Sequence, residues 1–305
     1  MEAATSTPSF VRDSAVATTP RKRPLLARPL TEKVFLLVAR GIIALALLTL
    51  IALIGDVALD GLDRLSWDFF TSFPSRKAEN AGILAAWTGS LWLLLLTIFF
   101  ALPLGVGAAV YLEEYSSKGR LTKLIEVCIA NLAGVPSVIY GILGLQVFVR
   151  ALGFDRSLLS GALTLALLVL PIIIMASREA LRTVPKGYRE GALALGATRW
   201  QTTWTQVLPV AIPGIATGCI LAFSRAIGET APLITLGALT YVAQVPDSVF
   251  SPFTALPIQA FNWLSRPQPE FHSNAAAAIT VLLSFMIMLN LAAIIIRTKY
   301  QTRQR

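Results

Sequence analysis

Six apolar runs divide the chain: Phe35 to Leu59, Ile83 to Leu112, Leu124 to Val149, Leu158 to Ser177, Ala211 to Leu236 and Ala275 to Ile296. Each is of the order needed to cross about 30 Å of hydrocarbon as a helix, roughly twenty residues. The pattern predicts an all-α polytopic membrane bundle with six transmembrane helices. Residues 1–33 are rich in Ser, Thr, Pro, Ala and Arg and read as a disordered basic cytoplasmic tail. The run behind that tail is too long for the core of a signal peptide, so it is expected to remain as the first span.

Composition agrees with the pattern. Apolar residues make up 55% of the 305 positions and charged ones only 14%, with mean hydropathy +0.68. Soluble domains carry nearer a quarter charged residues. The net charge of +9 could suggest a nucleic-acid partner, but the basic residues sit in short clusters beside apolar runs. That distribution belongs to cytoplasmic loops of membrane proteins, and no nucleic acid is expected. With the N-terminus inside, the inner connections hold 18 of the 26 Lys and Arg residues and the outer ones six. The positive-inside rule then places both termini in the cytoplasm. Cys128, Cys219 and the single histidine, His272, offer neither a disulfide framework nor a zinc spacing, so no metal site is expected.

Several spans are interrupted. Pro103 lies in the second, Pro171 in the fourth, and the third contains Asn131, Gly134-Val135-Pro136-Ser137 and Gln146. Each proline removes a backbone hydrogen bond and tends to kink a helix. Small-residue pairs, Gly141/Gly144 and Gly214/Gly218, predict close helix packing. The outer connection at 60–82 is acidic and aromatic. The other, at 237–274, holds a mostly apolar stretch from Phe250 to Trp263 that is expected to lie on the bundle or along the interface.

The connection between the fourth and fifth runs, residues 178–209, is unusually long and structured for a simple joint. Tyr188, Ala192 and Leu195 fall at helical spacing, as do Trp200, Trp204 and Val207, which predicts two short amphipathic helices meeting at Gly196. Small Gly191 and Ala192 would let a helix sink into a groove on a partner, with Arg189 and Glu190 setting its register by charge. A hairpin lying on the membrane surface is the plainer alternative. Beyond it, Arg225 and Glu229 stand four apart in an otherwise apolar run and so share a helix face. A charge at mid-bilayer depth costs about 2.5 to 3.5 kcal/mol on insertion scales, and pairing offsets part of it. The pair is either a structural lock or a cationic site on an anion pathway held and partly neutralised by Glu229.

Two motifs carry a family resemblance. Glu190-Gly191-Ala192, three residues, Gly196, nine residues, Gln206, one residue and Leu208-Pro209 is similar to the EAA loop of ABC importer permeases. It departs from that pattern at Gly191 for alanine and Gln206 for isoleucine. Ser224-Arg225-Ala226-Ile227-Gly228-Glu229-Thr230-Ala231-Pro232-Leu233 resembles the matching helix of phosphate-specific importers, of the PstA type. Ala101-Leu102-Pro103-Leu104-Gly105, Tyr111-Leu112-Glu113-Glu114-Tyr115, Asn131 to Ser137 and Tyr140-Gly141 agree with it, so that the resemblance covers about residues 83–297.

The resemblance implies a permease subunit in the bacterial plasma (inner) membrane, working by alternating access. Its implied partners are a PstC-type permease, two copies of a PstB-type ATPase and a PstS-type binding protein that delivers inorganic phosphate. ATP and Mg would be bound by the ATPase. No Gly-x-x-x-x-Gly-Lys-Ser/Thr loop occurs here, so no catalytic residues and no cofactor are assigned to this chain. Residues 1–33 then form a tail, 34–82 the first helix with its outer loop, 83–297 the permease core including the coupling loop, and 298–305 a cytoplasmic tail. Expected pathway residues are Ser224, Arg225, Glu229 and Thr230; expected coupling residues are Arg189, Glu190, Gly191, Ala192 and Gly196. A permease for phosphonate or sulfate would share the coupling loop. An ATPase-independent secondary transporter or a membrane enzyme would not need it.

Overall fold

The computed structural model describes residues 30–302, except 118 and 239–240. Of the tail expected at 1–33, residues 1–29 lie outside the described residues, as do the last three of the chain, and residues 30–33 belong to the first helix. Among those described, the protein is helical with no strand, and five helices are long and apolar enough to cross a membrane, or six if one bent pair counts as a span. The first, α1 (Leu30–Leu62), displays exposed Leu37, Ile42, Leu45 and Leu48, as a helix facing lipid or another protein does. By contacts residues 1–53 form one unit and 54–305 another. The remainder of the description concerns the second.

A short helix, α2 (Trp67–Thr71), capped by Ser66, leads into the long α3 (Leu84–Val110). Pro103 sits inside α3 without breaking it. At its end α3 widens into a π turn, Tyr111–Tyr115. The third apolar run is not one straight span. It divides into α4 (Arg120–Ala133) and α5 (Ser137–Gly144), the latter prolonged by a π segment to Ala151, with a 99° bend between them. Gly134 and Pro136 explain the break. A residue before proline is steered away from helical angles, and Pro136 has no amide to continue the α4 ladder.

The packed centre is α6 (Leu158–Arg182), buried along most of its length with Pro171 inside. The small helix α7 (Lys186–Ala194) follows, then Gly196 at φ +86°, then α8 (Arg199–Thr202), a π turn at Thr203–Val207, and α9 (Leu208–Gly228). The second of the two expected amphipathic helices is therefore not separate. Arg199 to Gly228 runs as one helix into the bilayer, started by a Thr198/Gln201 capping box. The fifth apolar run, expected to be helical through Leu236, instead breaks after Gly228. Glu229 is extended (φ −73°, ψ 114°), and α10 (Ala231–Leu236) restarts with Pro232 in its first turn.

The apolar stretch of the last outer connection joins the bundle. Its helix α11 (Leu256–Leu264) buries Ile258 and Trp263, and Phe253 just before it is 1% exposed. The final helix, α12 (Glu270–Thr302), completes the fold. Small residues decide how close these helices come. Cβ atoms built on Gly214 and Gly218 of α9 would stand 2.9 and 2.6 Å from the Cβ atoms of Ala180 and Ala176 on α6, so the antiparallel pair meets almost backbone to backbone. Gly141 of α5 is pressed still harder against α10, on Thr235 and Pro232.

Candidate functional site: a guanidinium on an open helix face and a clamped short helix

Arg225 lies three residues from the end of α9, and its Nε donates to Oε1 of Glu229 at 3.3 Å. The contact survives the helix break because Glu229 is the residue just past the last turn. There its carboxylate folds back, with the Glu229 side chain 16% exposed and that of Arg225 61%. Among the described residues the terminal nitrogens of Arg225 have no protein partner. A guanidinium held at one edge and open at its fork presents a planar pair of donors matched to the oxygens of an oxyanion. The neighbouring carboxylate lowers the net positive field at that fork.

Successive helical residues point about 100° apart, and this separates the other expected pathway residues from the fork. Ser224 is 2% exposed with an unpartnered hydroxyl, so it turns into the bundle rather than toward the open face of Arg225. Thr230 is half-buried and donates to the Gly228 carbonyl at 3.3 Å, where it closes the end of α9. The α9 face carrying Arg225 also carries exposed Leu221.

The residues expected to couple separate into two sets. Glu190 and Gly191 are exposed, Ala192 is half-buried, and nothing lies within 4 Å of a Cβ built on Gly191 or Gly196. These form a free surface, flanked by Leu195 at 91% exposure. Arg189 does not share it. Its Nη2 donates to Glu114 Oε1 at 2.7 Å and to the Leu181 carbonyl at 2.9 Å, its Nε lies 3.1–3.2 Å from both Glu114 oxygens, and its Nη1 donates to the Val184 carbonyl at 2.8 Å. The hydrogen bond to Glu114 raises the Arg189 pKa further above its ordinary value, outweighing the opposing effect of burial. The expectation that Arg189 sets register against a partner by charge meets an internal ion pair instead.

Glu113, adjacent, receives Arg182 at 3.1 Å and Arg178 at 3.5 Å, while Arg178 also reaches Glu126 of α4 at 2.5 Å. Glu113, Glu114, Glu126, Arg178 and Arg182 were not among the residues the sequence pattern marked as functional. A signal was available: three carboxylates and three arginines cluster at the ends of apolar runs on the same predicted side.

Comparison with known proteins agrees with this architecture. Residues 101–305 match the family model described as binding-protein-dependent transport system inner membrane component. The chain belongs to that family: it is a permease subunit of the ABC transporter class, a multi-pass protein of the inner membrane. It is 33% identical over 258 residues to the probable ABC transporter permease protein YqgI of Bacillus subtilis, covering 80% of this chain and 87% of that one. It is 35% identical to the phosphate transport system permease protein PstA 1 of Mycobacterium tuberculosis (67% and 66% covered) and 32% to PstA of Xylella fastidiosa (76% and 80%). Among solved structures, the inward-facing MetNI methionine ABC transporter superposes with TM-score 0.57 at 18% identity, covering 70% of this chain and 94% of that one. A bacterial ABC transporter for the acidic polysaccharide alginate gives 0.58 at 16% identity, covering 86% and 96%.

Proposed function

We propose that the chain is one of two permease subunits of an ATP-driven inorganic phosphate importer. The observation that carries the reading is the Arg225 fork, open on an apolar helix face and balanced by Glu229. Relatives named as phosphate transport permeases support phosphate as the anion. A path with Arg225 on an exposed face needs a second wall, which a PstC-type permease supplies. The exposed α7 surface around Glu190, Gly191 and Ala192 docks a PstB-type ATPase, which binds ATP and Mg. A PstS-type protein delivers phosphate from outside, and both termini lie in the cytoplasm.

Closure of the ATPases swings α7 about Gly196, and the spans rock so that the path opens outward, then inward. Arg225 makes the cationic contact; Glu229 orients it and keeps the affinity modest. Ser224 and Thr230 shape the end of the α9 helix behind it. In a reconstituted complex, Arg225→Ala is expected to abolish uptake while insertion and ATPase assembly persist, and normal uptake by that variant overturns the assignment. Competition of labelled phosphate uptake by sulfate and phosphonate checks the choice of anion.

A further inference from the structure

The coupling helix is joined to the bundle by covalent continuity at both ends, through α6 before it and α8–α9 after it. A third attachment exists that the sequence does not connect. Glu114 stands on the π turn that ends α3, 75 residues from Arg189, and its side chain is 9% exposed. The Arg189 side chain it holds is 22% exposed and simultaneously donates to the Leu181 carbonyl in the last turn of α6 and to the Val184 carbonyl just beyond it. The pair is charge-assisted and multiply hydrogen-bonded through three Arg189 nitrogens, which fixes its geometry.

Glu113 and Glu114 are consecutive on this helical turn, so their side chains leave it in different directions and reach separate elements: Glu113 pairs with Arg178 and Arg182 of α6, Glu114 with Arg189 of α7. The same end of α3 is packed on one side, where Ala109 and Leu112 are buried in an apolar core with Leu181, Val184 and Val207. On the other, between its π turn and the π turn that begins α9, lies an apolar groove of about 790 Å³, lined by Pro103, Tyr111, Tyr115, Trp200 and Trp204. The Glu114–Arg189 pair is the charged contact that joins the end of α3 directly to α7.

From this geometry we infer that Glu114 is a positioning residue for coupling: through Arg189 it makes α7 move as one body with the cytoplasmic end of α3. ATPase motion then enters the bundle through α3 as well as through the two covalently joined helices. The inference rests on α7 being the docking element. Neutralising Glu114 leaves α7 attached to the chain and still able to dock, but lets it swing without carrying α3.

The test uses the full complex in proteoliposomes with labelled phosphate and measures ATP hydrolysed per phosphate imported. Glu114→Gln is expected to raise that ratio by about tenfold, within the range of ordinary allosteric couplings. The exchanged pair Glu114→Arg with Arg189→Glu is expected to recover part of it, since the Leu181 and Val184 carbonyls still lose their donor, whereas Glu114→Arg alone recovers none. Spin labels on Leu104→Cys of α3 and Lys186→Cys of α7, in a background with Cys128 and Cys219 replaced by serine, are expected to give one narrow distance distribution that broadens in Glu114→Gln. A wild-type ratio and an unbroadened distance in Glu114→Gln overturn the inference alone. A parent complex that imports phosphate without any ATPase overturns the docking reading, and the inference with it.

Discussion

The contact between Gly141 and α10 gives the sharpest physical prediction. A Cβ added at Gly141 would lie 1.7 Å from Thr235 Oγ1 and 2.7 Å from both Cα and O of Pro232. The two clashes differ in kind. Thr235 can rotate away, although its hydroxyl then gives up the Ala231 and Pro232 carbonyls it now reaches at 3.1 and 3.0 Å. Pro232 cannot, because the obstructing atoms are backbone and 2.7 Å is about 0.7 Å short of the ~3.4 Å at which ordinary contact begins. Gly141→Ala must push α10 bodily away from α5. Overpacking a dense interior costs about 1 to 3 kcal/mol, and a clash with backbone belongs at the upper end, about 3 kcal/mol. Since α10 begins two residues after Glu229, the same displacement disturbs the Arg225 contact and should depress phosphate uptake. Thermal unfolding of the purified variant, beside Gly107→Ala, where nothing lies within 4 Å, isolates the steric effect. Adding Thr235→Ala to Gly141→Ala should recover only part of the loss. Full recovery, or a Gly141→Ala protein as stable as the Gly107→Ala control, refutes the backbone contact.

Three further outcomes follow from the coupling and outer loops. Gly191→Ala, in the middle of α7 with open space around it, should stabilise that helix by up to about 1 kcal/mol through helix propensity, read as increased amide protection in α7. Gly196→Ala has equal space but a left-handed backbone at φ +86°, so it should cost about 1 to 2 kcal/mol and loosen the α7–α8 corner in the same exchange experiment. In the loop before α11, Ser251 Oγ donates to Asp247 at 2.5 Å and holds that carboxyl below its ordinary pKa of 3.8. The loop it orders supplies the Ser251 and Val249 carbonyls that accept the Leu158 and Leu159 amides at the start of α6. A depressed folded pKa means this stabilisation is complete above the ordinary aspartate value and is lost as pH falls through the folded one. Protection of those two amides, corrected for intrinsic exchange, should hold from neutral pH to about 4 and then fall. Asp247→Asn should abolish that acid dependence, and a loss setting in above pH 5 in the parent contradicts it.

What the sequence determined by itself was the class of molecule and where its spans run, because a bilayer imposes a length and an apolarity that composition displays directly. Turn chemistry was legible for the same reason of locality: Gly196 between two amphipathic segments does adopt the left-handed backbone that permits the corner. Arg225 and Glu229 could be paired from spacing, since four residues along a helix are neighbours in space. The tertiary structure decided the rest. Whether Gly134 to Ser137 would kink the third run or bend it by 99° depends on what α4 and α5 pack against. Pro232 accounts locally for the break after Gly228, but that α10 then lies against Gly141, nearly a hundred residues away in the chain, was visible only in the fold. Arg189, expected with Glu190 to set register against a partner, is brought by the fold to Glu114 across 75 residues. Local pattern cannot report such pairs, because the partner of a charge is chosen by which helix ends meet at one corner of the bundle, and that is set by the packing of all the helices together.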